Sequence, residues 1–243
     1  ERTNEADFAY SLPDVGRFRV NAFRSRGSAG LVFRRVSVGA IPLGDLGLPT
    51  LLETLALEPR GLVLVTGPTG SGKTTTLAGM INHINRTRAG HVLTIEDPIE
   101  FVHQPIKSQI THREVGPHAS SFANAIRSAG RENPDVILIG ELRTNETMRL
   151  ALQLASYGVL VFGTVHTNSA PATIERIINA FPTDEQPQIR GMLSDALVGI
   201  VAQQLVKTAD GKGRAAAQEI LLGSHAVAAM IRFGREAAPV AAA

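Results

Sequence analysis

The chain has 243 residues, 44% of them hydrophobic, which is enough for one large domain or for one domain and part of another. It contains no cysteine, which excludes disulfides and cysteine-ligated zinc, and its net charge of +2 gives no reason to expect a nucleic-acid partner. No apolar run approaches the roughly 18 residues of a membrane-spanning helix and no signal peptide is visible, so we expect no direct membrane insertion. The chain opens at Glu1 rather than at methionine, and we expect a piece of a longer protein.

The N-terminal part is predicted to form an arginine-rich β-hairpin. Residues 16–38 alternate apolar and polar side chains, and the stretch 26–30 supplies the turn. Residues 15–44 contain no Asp or Glu but hold Arg17, Arg19, Arg24, Arg26, Arg34 and Arg35. A solvated strand face is the ordinary interpretation, whereas arginine without lysine also suits bidentate contact with phosphate or carboxylate.

Four short, almost wholly apolar runs follow and predict strands covered on both faces, as in a parallel sheet. They are residues 62–66, 91–95, 136–139 and 159–162. Helical patterns lie around them at 73–85, 120–131 and 146–157. Because strands and helices alternate, the fold class is expected to be α/β.

The C-terminal third is expected to be mainly helical. Residues 183–186, Thr-Asp-Glu-Gln, have the form of a capping box and predict the start of a long helix that runs to about Val206. A strand at 216–222 and a short helix near 226–232 follow, and the alanine-rich end at 237–243 is expected to be disordered.

Residues 67–74 match the phosphate-loop pattern G-x-x-x-x-G-K-[ST] in full, with an apolar strand before it and a helical pattern after it. The glycines let backbone N–H groups surround phosphate oxygens, and the helix N-terminus adds its dipole. We expect Lys73 to contact the β- and γ-phosphates of ATP and the Thr74 hydroxyl to bind Mg²⁺. The residues predicted to bind the nucleotide are Gly67, Pro68, Thr69, Gly70, Ser71, Gly72, Lys73, Thr74 and Thr75.

Polar side chains follow each of the other three apolar strands, and the carboxyl ends of parallel strands meet at one edge of a sheet. We therefore expect these side chains to converge on the phosphate loop. Glu141 is predicted to hold Mg²⁺ or to polarise the attacking water. Glu96 and Glu100 are candidates for the general base, with a structural carboxylate as the alternative for each. His166 is a candidate for contact with the γ-phosphate, with a strand-end histidine as the alternative.

These motifs resemble a known family, the secretion ATPases of type IV pili and type II secretion, and most closely its PilT-like retraction branch. The matching segments are 67–74 (Walker A), 94–100 (aspartate box), 134–143 (Walker B) and 163–167 (histidine box). Arg17–Phe23 and Phe181-Pro182 also fit, and the resemblance covers about 7–232. The absence of cysteine favours the retraction branch, since relatives in the other branches usually carry a tetracysteine zinc module.

The resemblance implies a RecA-like P-loop ATPase domain preceded by the C-terminal part of a PAS-like N-terminal domain. The implied division is 1–45 for the partial PAS-like domain, 46–60 for a linker, 61–236 for the ATPase core and 237–243 for the tail. It also implies a cytoplasmic homohexamer, peripheral at the inner membrane, with a pilus platform protein and a paralogous motor ATPase as partners.

The resemblance further assigns roles to single residues. Glu100 becomes the catalytic glutamate, Glu141 the Walker-B glutamate, and His166 the residue beside the γ-phosphate. The arginine-rich hairpin resembles the segment that supplies arginine fingers to a neighbouring subunit's site, and the candidates for that role are Arg34, Arg19 and Arg17.

Four departures from the family pattern stand out. Val159 stands where a histidine is usual, and Thr144 where an aspartate is usual. Gly130 lies inside a predicted helix, where glycine costs about 1 kcal/mol against alanine. Ala228 and Ala229 replace the arginine and asparagine of a C-terminal motif tied to retraction rather than to hydrolysis.

Three hypotheses about function follow. The first is a hexameric motor ATPase that drives type IV pilus retraction and twitching motility. The second is a paralogue that binds ATP in the motor ring but hydrolyses it weakly. The third is a related ATPase of secretion, pilus assembly or DNA transfer. The near-neutral charge and the 5% aromatic content argue against a role in DNA transfer.

Overall fold

The computed structural model describes residues 5–12 and 15–234, without the side chains of residues 9, 11, 37 and 38. The predicted tail at 237–243 lies outside the described residues. The strands are β1 Glu5–Leu12, β2 Gly16–Ser25, β3 Ser28–Val38, β4 Gly61–Thr66, β5 Gly90–Glu96, β6 Phe101–Val102, β7 Ser108–Glu114, β8 Val136–Ile139, β9 Leu160–Val165, β10 Leu197–Lys207 and β11 Arg214–Leu222. The helices are α1 Leu51–Ala56, α2 Lys73–Thr87, α3 Phe122–Ala129, α4 Asn145–Ser156, α5 Ala170–Asn179, α6 Gln186–Ala196 and α7 His225–Phe233, with a 3₁₀ turn at Gly44–Leu46.

The centre of the molecule is a seven-stranded sheet in the order β11-β10-β4-β9-β8-β5-β7, parallel except for β11. Alternate residues of each central strand enter two separate cores: Leu62 and Leu64 pack on one side, and Val63 and Val65 on the other. Both faces are covered, as the mainly apolar sequences of these strands predicted, which confirms the parallel sheet and the α/β class.

The predicted N-terminal hairpin is confirmed, and it belongs to a second sheet in the order β1-β2-β3-β6. The turn is tighter than predicted, because β3 already begins at Ser28 and only Arg26 and Gly27 link the strands. Both residues have positive φ, 50° and 84°, as a two-residue hairpin turn requires. The last residues of β3 pair with β6, which follows the aspartate box, and this pairing joins the hairpin to the polar edge of the core.

The predicted long helix from 183 to about 206 is wrong. Helix α6 ends at Ala196, and Leu197–Lys207 forms β10, which runs parallel to β4 at the centre of the sheet. Valine, isoleucine and a glycine at 199 disfavour a helix and suit a buried strand. The predicted capping box is also wrong, since α6 begins at Gln186 without a side-chain cap from Glu185.

Two departures from the family pattern have local explanations. Helix α3 ends at Ala129 and Gly130 is its C-cap, so the predicted cost of a glycine inside a helix does not arise. Thr144 is the N-cap of α4, where its hydroxyl accepts a hydrogen bond from the Thr147 backbone N–H at 3.2 Å. Threonine and aspartate both serve as N-caps, so Thr144 preserves the start of the helix.

The C-terminal helix α7 forms despite the two alanines in its motif. Ser224 caps its N-terminus, and Gly234 ends it in the left-handed conformation. Arg232 ties it to α6 through the Ser194 hydroxyl and the Asp195 carboxylate. Within the described residues, no helix is long and apolar enough to cross a membrane.

Candidate functional site

The polar strand ends meet in a cleft of about 940 Å³ at the carboxyl edge of the sheet. The cleft is lined by most of the residues singled out from the sequence, from five separate segments of the chain. They are Thr69, Gly70, Gly72, Lys73, Thr74, Thr75, Glu96, Glu100, Glu141, His166 and Arg34. The convergence follows from the parallel order of β4, β9, β8 and β5, which places their carboxyl ends side by side.

The loop 67–72 between β4 and α2 has the shape of an anion cradle. Gly67, Gly70 and Gly72 have φ values of 141°, 79° and 86°, a region that side chains disfavour. Gly70 has open space around it, since an added Cβ would meet nothing within 4 Å. The loop leads directly into the N-terminus of the 15-residue helix α2, whose dipole favours an anion there.

Lys73 lies at the base of this loop, and within the described part of the chain its hydrogen-bond partners are backbone carbonyls. Its Nζ donates hydrogen bonds to the carbonyl oxygens of Gly67 and Pro68, at 2.8 and 3.0 Å. Burial lowers the pKa of the Lys73 ammonium, while the carboxylates of Glu141 and Glu100 raise it. An anion in the cradle would stabilise the ammonium, so the site is built for a negatively charged ligand.

Glu141 follows β8, and the neighbouring strand holds its backbone in place. The Thr164 hydroxyl donates a hydrogen bond to the Gly140 carbonyl at 2.5 Å, and the Leu142 N–H donates to the Thr164 carbonyl at 2.9 Å. The Glu141 carboxylate lies 3.6 Å from His166 Nε2, and both side chains are partly exposed to the cleft. The two candidates are therefore neighbours, one from each of two adjacent strands.

Glu96 lies deeper in the cleft wall, with a side chain that is almost fully buried. Burial raises the pKa of its carboxyl from 4.5 to about 7. Hydrogen bonds from the Thr94 side chain and the Glu100 backbone N–H lower this pKa and offset part of the effect of burial. The Thr94 hydroxyl also bonds to His112 Nδ1 at 2.8 Å, and His112 Nε2 accepts from the His103 N–H at 3.1 Å. Glu96 thus supports the segment that carries Glu100, and Glu100 itself is exposed in the cleft.

We predict that E96Q changes how stability depends on pH. A carboxyl whose pKa is higher in the fold than in the unfolded chain stabilises the fold at low pH, and this contribution is lost as pH rises through the folded pKa. Between pH 4.5 and about 7, the free energy of unfolding of the wild type should fall relative to E96Q, by up to about 3 kcal/mol. Above that window, the difference should stay constant.

Chemical denaturation of both proteins at several pH values measures this difference. The buried histidines His103 and His112 have lowered pKa values and act in the opposite direction, and Glu100, Glu114 and Arg17 lie close by. These groups are common to both proteins, so the difference isolates Glu96. The control is E175Q, which makes the same substitution at an exposed glutamate outside the cleft lining. A pH-independent difference between E96Q and the wild type would contradict the raised pKa of Glu96.

The three candidate arginines share one face of the hairpin but have different surroundings. Arg34 lines the cleft of its own chain, and Arg19 is its direct neighbour across the β2–β3 pair, outside the cleft lining. Arg17 lies 3.6 Å from the Glu114 carboxylate, which also accepts a hydrogen bond from the Ile99 N–H at 3.1 Å. Arg17 therefore links the hairpin to the core, and Arg34 has the best access to a ligand.

Sequence reasoning missed the side of the cleft that β10 forms. Leu205 lines the cleft, and the buried Gln203 contacts the phosphate loop. Both residues were hidden by the predicted helix through 206. The run of valine and isoleucine around Gly199 is the signal that could have indicated a strand there.

The parallel sheet with a phosphate loop after β4 defines a P-loop domain of RecA-like fold. The chain belongs to the type II/IV secretion system protein family, whose model matches residues 14–237. This confirms the family recognised from the motifs.

The chain is similar to several curated proteins over 94–95% of its length. It is 54% identical to the twitching motility protein of Neisseria gonorrhoeae and spans 61% of that protein. It is 50% identical to the type IV pilus retractation ATPase PilT of Pseudomonas aeruginosa and spans 66% of that protein. It is 47% identical to the type IV pilus ATPase PilU of the same organism and spans 60% of it. The crystal structure of the pilus retraction motor PilT with bound ADP superposes with a TM-score of 0.92 at 46% identity, over 96% of this chain and 67% of that one.

Proposed function

We propose that this chain is the ATP-hydrolysing part of a motor that drives type IV pilus retraction. The observation that carries ATP hydrolysis is the convergence of the phosphate loop, two carboxylates and His166 on one cleft. The similarity to proteins named for pilus retraction and twitching motility supports the motor role. The chain spans less than two thirds of these curated proteins, so a longer protein that contains it would perform the complete cycle.

The residues present fit ATP with Mg²⁺. The ammonium of Lys73 has only carbonyl partners, and the buried Ser71 hydroxyl has no hydrogen-bond partner among the described residues. In our proposal the loop N–H groups and Lys73 hold the phosphates, with Thr69 to Thr75 around them, while Thr74 and Glu141 hold the metal. When bound, Mg²⁺ supplies positive charge that offsets the charge developing on the phosphate oxygens.

The proposed roles of the remaining residues follow from position and charge. Glu100 orients the attacking water and accepts its proton, because its carboxylate is exposed in the cleft whereas that of Glu96 is buried. His166 contacts the terminal phosphate and, through Glu141 at 3.6 Å, couples the loss of that phosphate to the metal side of the cleft.

Assembly into a homohexamer is part of the proposal. Arg34 and Arg19 would stabilise transition-state charge from the hairpin, with Arg19 facing a neighbouring subunit, since an arginine supplied in this way raises rates by about 10³–10⁵. The proposed division keeps 1–45 as the end of a PAS-like domain, 46–60 as a linker and 61–236 as the ATPase core. The ring would act in the cytoplasm on an inner-membrane platform protein, beside a paralogous motor ATPase.

The first measurement is phosphate release from ATP by the purified chain and by the longer protein that contains it. The second is twitching of cells that lack the native motor and express the longer protein. We expect Mg²⁺-dependent ATP hydrolysis and restored twitching. Hydrolysis without restored twitching would reject the retraction role and leave the ATPase. The absence of hydrolysis, with binding intact, would favour a weakly hydrolysing paralogue, which the 47% identity to PilU also supports.

We predict that hydrolysis and retraction separate at helix α7. Ala228 is partly exposed and Ala229 is exposed, on a helix that contacts α6, and neither residue lines the cleft. The double variant Ala228→Arg with Ala229→Asn adds an ion-pairing face there without touching phosphate chemistry. Twitching speed should rise while ATP turnover stays within about twofold, since surface changes away from a site have small effects.

The matched control for this pair changes an exposed alanine elsewhere, Ala215→Arg on β11. Full twitching by the unaltered chain, with no gain from the double variant, would show that the two alanines do not limit retraction.

A further inference from the structure

Gln203 lies beside the phosphate loop, on the part of β10 that continues after its pairing with β4 has ended. The last pair is Ala202 with Thr66, after which β4 turns into the loop and β10 runs on alongside it. The Gln203 side chain is only 2% exposed. A buried carboxamide is stable only when its donors and acceptors are satisfied, so its partners indicate what it holds in place.

The Gln203 carboxamide joins three other segments. Its Nε2 donates a hydrogen bond to the Ser71 carbonyl in the loop at 2.7 Å. Its Oε1 accepts from the Thr76 hydroxyl in the first turn of α2 at 2.8 Å and from Gln218 Nε2 on β11 at 2.7 Å. Because the Ser71 carbonyl can only accept, it fixes the orientation of the carboxamide.

The same residue also accounts for two glycines of the loop. A Cβ at Gly67 would overlap the Gln203 carbonyl oxygen, and a Cβ at Gly72 would lie 2.8 Å from Gln203 Nε2. Gly70, which faces open space, has no such neighbour. The loop is thus pressed against β10 at its first and last glycines and is open to a ligand between them.

We propose that Gln203 is the positioning residue of the phosphate loop. By holding the Ser71 carbonyl against β10, it keeps a partial negative charge away from the anion and turns the loop N–H groups toward the cleft. Through Thr76 it fixes the first turn of α2 in the same orientation. The inference rests on the proposed nucleotide site and adds a residue that lies outside the phosphate-loop motif.

The test compares Q203E with Q204E, its neighbour on β10, whose side chain is exposed. A carboxylate at 203 can still accept from Thr76 and Gln218 but cannot donate to the Ser71 carbonyl, which it repels. The probes are ATP and inorganic pyrophosphate, each with Mg²⁺, titrated well below the melting temperature of every variant. Q203E should bind both probes at least about tenfold more weakly than the wild type, because it loses one hydrogen bond and gains one buried repulsion. Q204E should bind them as the wild type does.

Pyrophosphate makes the readout specific for the loop, because it has no base or sugar. A residue with a merely structural role would lower the melting temperature of the empty chain but would leave the affinity of the folded protein unchanged. The variant Q203M, similar in length and without charge, provides a second measurement should Q203E fold poorly. Wild-type affinity for pyrophosphate in either folded variant would overturn the inference. A wild-type chain that binds neither probe would instead refute the proposed nucleotide site.

Discussion

K73A is expected to lower ATP turnover by at least about 100-fold, the loss typical of removing one preorganised donor from a developing charge. Among the described residues, the Lys73 ammonium is the charged donor at the base of the loop, and it donates to the carbonyls of Gly67 and Pro68, which follow β4. With nucleotide present, we expect it to move to the β- and γ-phosphates, where its charge stabilises the transition state.

The fold should tolerate this change, because Lys73 makes no ion pair among the described residues and water can replace its two hydrogen bonds at the cleft. The free energy of unfolding is expected to change by no more than about 2 kcal/mol, the net value of two typical hydrogen bonds. The control is K107A, which removes an exposed lysine remote from the cleft. Turnover in K73A equal to that in K107A would falsify the assignment of this loop as an active site.

The second prediction concerns the variants E100Q and E141Q. Each is expected to lower ATP turnover by about 10²–10⁴-fold and to retain nucleotide binding. Glutamine keeps the shape of glutamate but cannot accept a proton, and it is a weaker ligand for a divalent cation. E141Q should in addition raise the Mg²⁺ concentration needed for half-maximal turnover, whereas E100Q should not, because Glu141 is the one of these two glutamates that we assign to metal binding.

The control for both is E146Q, which alters a third carboxylate on the cleft wall, one that is ion-paired with Arg127 and has no proposed catalytic role. We expect its turnover to stay near that of the wild type. If E100Q and E146Q proved equally active, Glu100 would not be the base, and the buried Glu96 would become the candidate.

The site could be predicted from the sequence because its chemistry is local. The phosphate loop is one continuous motif, and Glu100, Glu141 and His166 each lie within a few residues of the end of an apolar strand. Knowing only that parallel strands end at one edge is enough to bring these residues together. The cleft in the structure brings these candidates together, and the side that β10 forms is the part that this reasoning does not supply.

The errors arose where neighbours in space decide the structure. In the segment 197–206, apolar periodicity alone does not separate a helix from a buried strand, and the pairing with β4 selects the strand that the valine and isoleucine residues favour. Gly130 was assigned a cost because the helix around it was predicted to be too long, and Thr144 stood out as a departure because its role as the N-cap of α4 was not predicted. Gln203 could not be found at all, since its role depends on a loop more than 100 residues away in the chain.

The most direct test of the account is a structure of the chain with Mg²⁺ and a slowly hydrolysed ATP analogue. The account predicts phosphates within the loop 67–74, with Lys73 Nζ released from the carbonyls of Gly67 and Pro68 and bound to phosphate oxygens. It also predicts the metal between Thr74 and Glu141. An analogue bound elsewhere, or a bound analogue that leaves Lys73 on its two carbonyls, would contradict the account.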